Sequence, residues 1–135
     1  MGKLQDFLKA NMVELNEQIE VKVNGFPYPF IIRGMNQAEN KAIEKSCERV
    51  SFNKKTHQRE SDTDKNLYMT RLVIASCVDP NFKDAELQAM YGVRGAEDLV
   101  EAMLKPGQYA DLLLAVQKIN GFDEDINDTI EEAKN

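Results

Sequence analysis

Tryptophan is absent from this chain, histidine occurs once and cysteine twice among 135 residues, and each shortage removes a class of chemistry. With His57 alone, no cluster of histidines or of cysteine and histidine at zinc-finger spacing can be assembled. His57 sits in a polar, basic stretch with no cysteine nearby, which is the setting of a solvated surface residue. Cys47 and Cys77 are too few for a disulfide framework. Both fall among apolar neighbours in helical patterns, where free thiols pack as small hydrophobes. No apolar run approaches the roughly 20 residues needed to span a bilayer. Residues 1–6 hold no apolar stretch long enough for a secretory signal, so a cytosolic protein is expected.

Motifs are missing as well. Gly92-Val93-Arg94-Gly95 lacks the lysine and the spacing of a phosphate-binding loop. Asp123-Glu124-Asp125 with Asp128 lacks the mid-loop glycine and terminal glutamate of a calcium loop. The basic cluster Lys54-Lys55-His57-Arg59 has no interleaved aromatics and runs directly into Glu60, Asp62 and Asp64, so a nucleic-acid patch is disfavoured. No constellation of nucleophile, base and orienting group is present. These absences point to a protein that is not an enzyme, with no cofactor, no metal, no nucleic-acid partner and no membrane partner.

What is present suits one domain with an ordinary core: 42% hydrophobic and 30% charged residues, with a formal net charge of −6. The charge is uneven. Residues 1–78 hold 12 Lys and Arg against 10 Asp and Glu, whereas residues 79–135 hold 5 against 13. An acidic second part repels phosphate backbones and favours solubility or a basic partner.

Periodicity supplies the elements. Leu4, Phe7 and Leu8 share one face of a short helix over residues 3–11. Ile19, Val21 and Val23 alternate with polar residues, Asn24-Gly25 turns the chain, and Phe30-Ile31-Ile32 returns, so a β-hairpin is expected at about 18–33. Helices are expected at about 36–50, 62–79, 84–91, 96–104 and 106–120, started by Asn36, by Ser61 or Asp62, and by Pro106. Proline 80 stops the second of these, and Gly92 and Gly121 close the third and the last. The stretch 72–78 is apolar on nearly all sides, the mark of a central helix. Residues 51–64 are polar and read as an exposed loop or mobile hairpin. The expected fold is therefore mostly α with a small N-terminal β-hairpin (α+β), a compact helical domain over residues 1–121. An acidic, weakly ordered tail is expected over 122–135, where six acidic residues face one lysine.

Several segments, in order along most of the chain, resemble the XkdN-like phage tail assembly chaperones. They are Leu4-Gln5-Asp6-Phe7-Leu8-Lys9-Ala10-Asn11, Ala75-Ser76-Cys77-Val78-Asp79-Pro80-Asn81-Phe82 and Leu87-Gln88-Ala89-Met90-Tyr91-Gly92-Val93. Met103-Leu104-Lys105-Pro106-Gly107-Gln108-Tyr109-Ala110-Asp111-Leu112 continues the series, followed by Ile119-Asn120-Gly121-Phe122 and Ile130-Glu131-Glu132-Ala133-Lys134-Asn135.

The resemblance implies a phage or prophage protein that works in the host bacterial cytoplasm and is absent from the mature virion. It implies a tape-measure protein as client, kept soluble while the tail tube assembles, and self-association around that client. It also implies a longer form made by programmed frameshifting, whose extension contacts the tail tube protein. Lys134-Asn135 is compatible with an A-rich slippery stretch. On this reading the contact surface is sought in the C-terminal helical half, at Leu99, Met103, Tyr109, Leu112 and Phe122. The rival readings are a structural tail or connector subunit of the virion and, further off, an acidic DNA mimic, whose charge should lie along a rigid face.

Overall fold

The computed structural model describes residues 2–13 and 17–122. The expected acidic tail, past Phe122, lies outside them.

Ile19 and Val21 on β1 (Gln18–Val21) pair with Ile32 and Phe30 on β2 (Phe30–Arg33) in an antiparallel hairpin. Phe30 and Ile32 are buried while Ile31 and Arg33 are half-buried, so the pleat puts one face of β2 into the core. Gly25 turns the connection at φ +94°, a conformation that L side chains rarely adopt, and a Cβ there would lie 2.9 Å from the Gln108 amide nitrogen. That amide donates to the Asn24 carbonyl, tying the hairpin tip to the last helix.

Helix α1 (Lys3–Ala10) precedes the sheet. After the sheet, α2 (Gln37–Ser46) begins at Asn36, whose side chain accepts from the Glu39 N–H. Helix α2 ends four residues sooner than the periodicity predicts. At Cys47 the chain enters β3 (Glu48–Asn53), turns through residues 54–57 and returns as β4 (Gln58–Thr63). His57 takes φ +57° in this turn.

Asp64, rather than Ser61 or Asp62, caps α3 (Lys65–Ser76) by accepting from the Leu67 N–H. Its own N–H bonds to the Cys47 carbonyl at 2.9 Å, clasping the base of the β3–β4 ribbon. Helix α3 is central: Tyr68, Met69, Leu72, Val73, Ile74 and Ser76 are buried, and it packs on α2 and on two later helices.

Residues 77–79 do not continue α3. The residue before a proline disfavours the α region, and Cys77–Asp79 runs extended as β5, pairing with β2 across a register shift at Ile31/Ile32. Strand β2 is thus the middle of a three-stranded sheet, β1-β2-β5. Then come α4 (Ala85–Met90), capped by Asp84, α5 (Ala96–Met103), and α6 (Pro106–Ile119) with Pro106 in its first turn.

The expectation of a mostly α fold with a single N-terminal hairpin is therefore corrected. The described residues form an α+β fold of six helices and two sheets with five strands, about half helical. The polar stretch 51–64 is ordered by strand pairing, and β5 converts the hairpin into a sheet.

Candidate partner-binding surfaces

The three-stranded sheet and helices α3, α5 and α6 turn most of their apolar residues inward, whereas α1 and the β3–β4 ribbon group theirs on an exposed face. Helix α1 buries none of its residues. Leu4, Phe7 and Leu8 lie at i, i+3, i+4 on one face, all exposed, and Met12 and Val13 continue the exposed apolar run. No hydrogen bond among the described residues ties α1 to another element. The β3–β4 ribbon is similar. Its register pairs Val50 with Ser61 and Phe52 with Arg59, placing these four on one face. Val50 is 53% and Phe52 62% exposed. The opposite face carries the Arg49–Asp62 ion pair at 3.1 Å and the Asn53 amide donating to Glu60. An exposed apolar cluster on a soluble fold marks a contact site more often than an isolated exposed leucine does.

The residues expected to contact a partner lie elsewhere. Leu99 and Leu112 have no exposed surface and sit in the core with Leu72, Val73 and Val116. Met103 and Tyr109 are half-buried against that core, and the Tyr109 hydroxyl lies 3.2 Å from Thr70 Oγ1. Tyr109 lines a surface hollow with Thr70, Val100, Glu101 and Leu104. Phe122 is half-buried at the far end of α6, beside a shallow cavity of about 250 Å³ bounded also by Met35, Asn40 and Leu72. The structure thus does not bring these five residues into one surface. Periodicity finds the buried stripe of a helix; it does not say whether a given stripe is covered by the chain itself.

Around the Phe122 cavity the joints are polar. Asn120 accepts from the Met35 N–H at 2.9 Å and donates to Ser76 Oγ and the Val116 carbonyl, locking α6 to α3 and to the β2–α2 connection. Asn40 Oδ1 accepts from the Tyr68 hydroxyl. Burial, then the charge of Glu44, raise the Tyr68 pKa above its usual value. Arg71 on α3 donates to Glu97 on α5 at 2.9 Å and to the Ser46 carbonyl at the end of α2. A backbone hydrogen bond and this guanidinium hold the Glu97 carboxyl below its usual range.

Little here supports bond-making chemistry. Cys47 and Cys77 are buried and unbridged, as their apolar neighbours predict. Burial, with Asp79 nearby, pushes the Cys77 thiol up to about 12, far from the thiolate a nucleophile requires. Among the described residues no group of three or more His, Cys, Asp or Glu is placed to hold a metal ion, and no helix is long and apolar enough to cross a membrane.

Residues 4–134 match the family model described as phage XkdN-like tail assembly chaperone protein. Two proteins of Bacillus subtilis (strain 168) are similar over nearly the whole chain: the phage-like element PBSX protein XkdN and the uncharacterized protein YqbN. Each is 30% identical over 141 residues, spanning 98% of this chain and 93% of its own. The crystal structure of the protein YqbN has a TM-score of 0.69 at 23% identity, covering 91% of this chain and 99% of that one, a likeness of fold alone.

Proposed function

This chain belongs to the phage XkdN-like tail assembly chaperone family, and from that premise we propose that it binds the tape-measure protein and keeps it soluble while the tail tube assembles. The observation that supports this reading is the uncovered face of α1. Leu4, Phe7, Leu8 and Met12 offer an apolar stripe to an amphipathic helix, the kind of surface a long helical client exposes before its tube surrounds it. The acidic excess of residues 79–135 keeps such a complex dispersed.

The chemistry is binding alone, in the host bacterial cytoplasm, and the protein leaves before the virion is complete. A longer frameshifted form is the proposed link to the tail tube protein. Met103 and Tyr109 at one end of α6 and Phe122 at the other remain separate secondary contact candidates. Leu99 and Leu112 leave the proposal because neither has area to offer.

Co-expression with the tape-measure protein of the same gene cluster, followed by pull-down and a solubility assay, tests it. The expected result is a client that stays in solution and co-purifies with the native chain, and is lost with a Phe7→Glu/Leu8→Glu variant of unchanged circular dichroism. A client that stays insoluble beside the native chain, or this protein recovered from purified particles, would favour the structural-subunit reading instead.

A further inference from the structure

Among the described residues no further strand pairs with either edge of the β3–β4 ribbon, and the two edges are not equivalent. The Asp64 N–H to Cys47 carbonyl bond makes 47 and 64 a hydrogen-bonded pair. Alternation along an antiparallel ladder then turns the backbone groups of Arg49, Ser51 and Asn53 inward to β4 and leaves those of Glu48, Val50 and Phe52 pointing outward, unpaired. A strand that meets the β3 edge must hydrogen-bond to these outward residues.

A second copy of β3 can do so with every side chain matched. In an antiparallel pairing centred on Ser51, Val50 faces Phe52 of the other copy twice over. Glu48 comes opposite Lys54, the first residue of the turn, at both ends, and Arg49 faces Asn53 on the reverse side. Opposite charges and apolar pairs thus fall directly across from one another, the arrangement that stabilises a sheet.

The β4 edge lacks this property. Symmetric pairing centred on Ser61 sets Glu60 against Asp62, and centring on Glu60 sets that residue against itself; like charges directly opposite destabilise a sheet. Charge on β4 therefore blocks that edge and leaves β3 open.

We propose that the β3 edge is a self-association site, where a second copy of this chain docks by antiparallel β3–β3 pairing about a two-fold axis through Ser51. The product is a four-stranded sheet, β4-β3-β3-β4, with Val50 and Phe52 of both copies forming one apolar cluster. A six-residue edge buries well below the roughly 1,200 Å² at which stable complexes begin, so the contact is weak and concentration-dependent. It becomes effective where a client holds several copies close together. The proposal does not depend on the tape-measure reading, and its first test contains this chain alone.

Ser51 pairs with itself at a non-hydrogen-bonded position, where α-carbons approach to about 4.5 Å, within the range a disulfide spans. A Ser51→Cys variant treated with a mild oxidant should yield a disulfide-linked dimer. A Ser61→Cys variant, on the blocked edge, should stay monomeric, and the two native thiols are buried. In the Ser51→Cys background, Glu48→Lys should slow cross-linking about tenfold, and Glu48→Lys with Lys54→Glu should restore it. Equal cross-linking of the Ser51→Cys and Ser61→Cys variants, or none by either, overturns the proposal. So does a charge swap that fails to restore. If the Ser51→Cys variant stays monomeric alone but cross-links to a cysteine-bearing client, the edge belongs to the client and the proposal fails.

Discussion

Leu72 and Phe7 are both large apolar side chains on helices, yet Leu72 has no exposed surface while Phe7 leaves 52% of its own open. The same contrast separates whole elements. Helices α3, α5 and α6 and the three-stranded sheet share one continuous core, whereas α1 and the β3–β4 ribbon keep apolar residues in solvent. Burial of apolar area is what holds a fold together, so residues of the first kind support the structure and those of the second kind do not. An isolated two-stranded ribbon is marginal in water on its own terms. This one presents Val50 and Phe52 to solvent, the two side chains that the proposed β3–β3 pairing would bring together.

The sharpest way to break the comparison is to truncate one residue of each kind. Leu72→Ala opens a cavity at the centre of α3 and should cost about 2–5 kcal/mol in chemical denaturation. A loss under ~1 kcal/mol would mean that the core is looser than its burial implies.

Next in size is Asn120→Ala, which leaves the Met35 N–H and Ser76 Oγ without their partner. About 1–3 kcal/mol is expected, with accelerated hydrogen exchange at the start of α2 and the end of α6.

The Arg71–Glu97 pair is smaller still, because both side chains are about a third or more exposed. Glu97 has a lowered pKa in the folded state. Its contribution is therefore full above the ordinary carboxylate value of 4.5 and is lost as pH falls through the lowered folded value. Glu97→Gln should lower neutral-pH stability by a few tenths of a kcal/mol, with the two chains converging at low pH so that the acid limb of the variant's stability curve is flatter.

The smallest effect belongs to Phe7→Ser on α1, within about 0.5 kcal/mol of the native chain in stability, although client capture falls. If this substitution instead unfolds the protein, α1 belongs to the core and the comparison collapses.

Much of the body was legible from residues alone. Alternation at Ile19, Val21 and Val23 and the Asn24-Gly25 turn announce the first hairpin, and the all-apolar stretch from Leu72 announces a central helix. Pro106 with the stripe through Leu112 and Val116 announces the last helix. The second sheet was legible only as one of two alternatives, an exposed loop or a mobile hairpin over 51–64, for a physical reason. Strand patterns are written by burial on one face, and residues 48–63 bury almost nothing, so β4 reads as a polar loop. Strand β5 was hidden differently: Cys77 and Val78 extend the apolar run of α3, and only the backbone bias before Pro80 separates them.

The candidate contacts show the same limit. Leu99 and Leu112 follow the same helical spacing as Leu4 and Leu8, and only the tertiary structure reveals which stripe is already covered.

The clasp between Asp64 and Cys47 has one more consequence, for the architecture of the gene. Because that backbone bond joins the end of α2 to the cap of α3, beside the Arg71–Ser46 and Tyr68–Asn40 hydrogen bonds between the two helices, the sixteen residues from 48 to 63 form an inset whose two ends already touch. Loop closure costs little more as such an inset lengthens. The joint is therefore a place where the chain can be spliced: shortened to a glycine turn, extended, or fitted with a fluorescent or affinity module, while α2 and α3 keep their places in the fold.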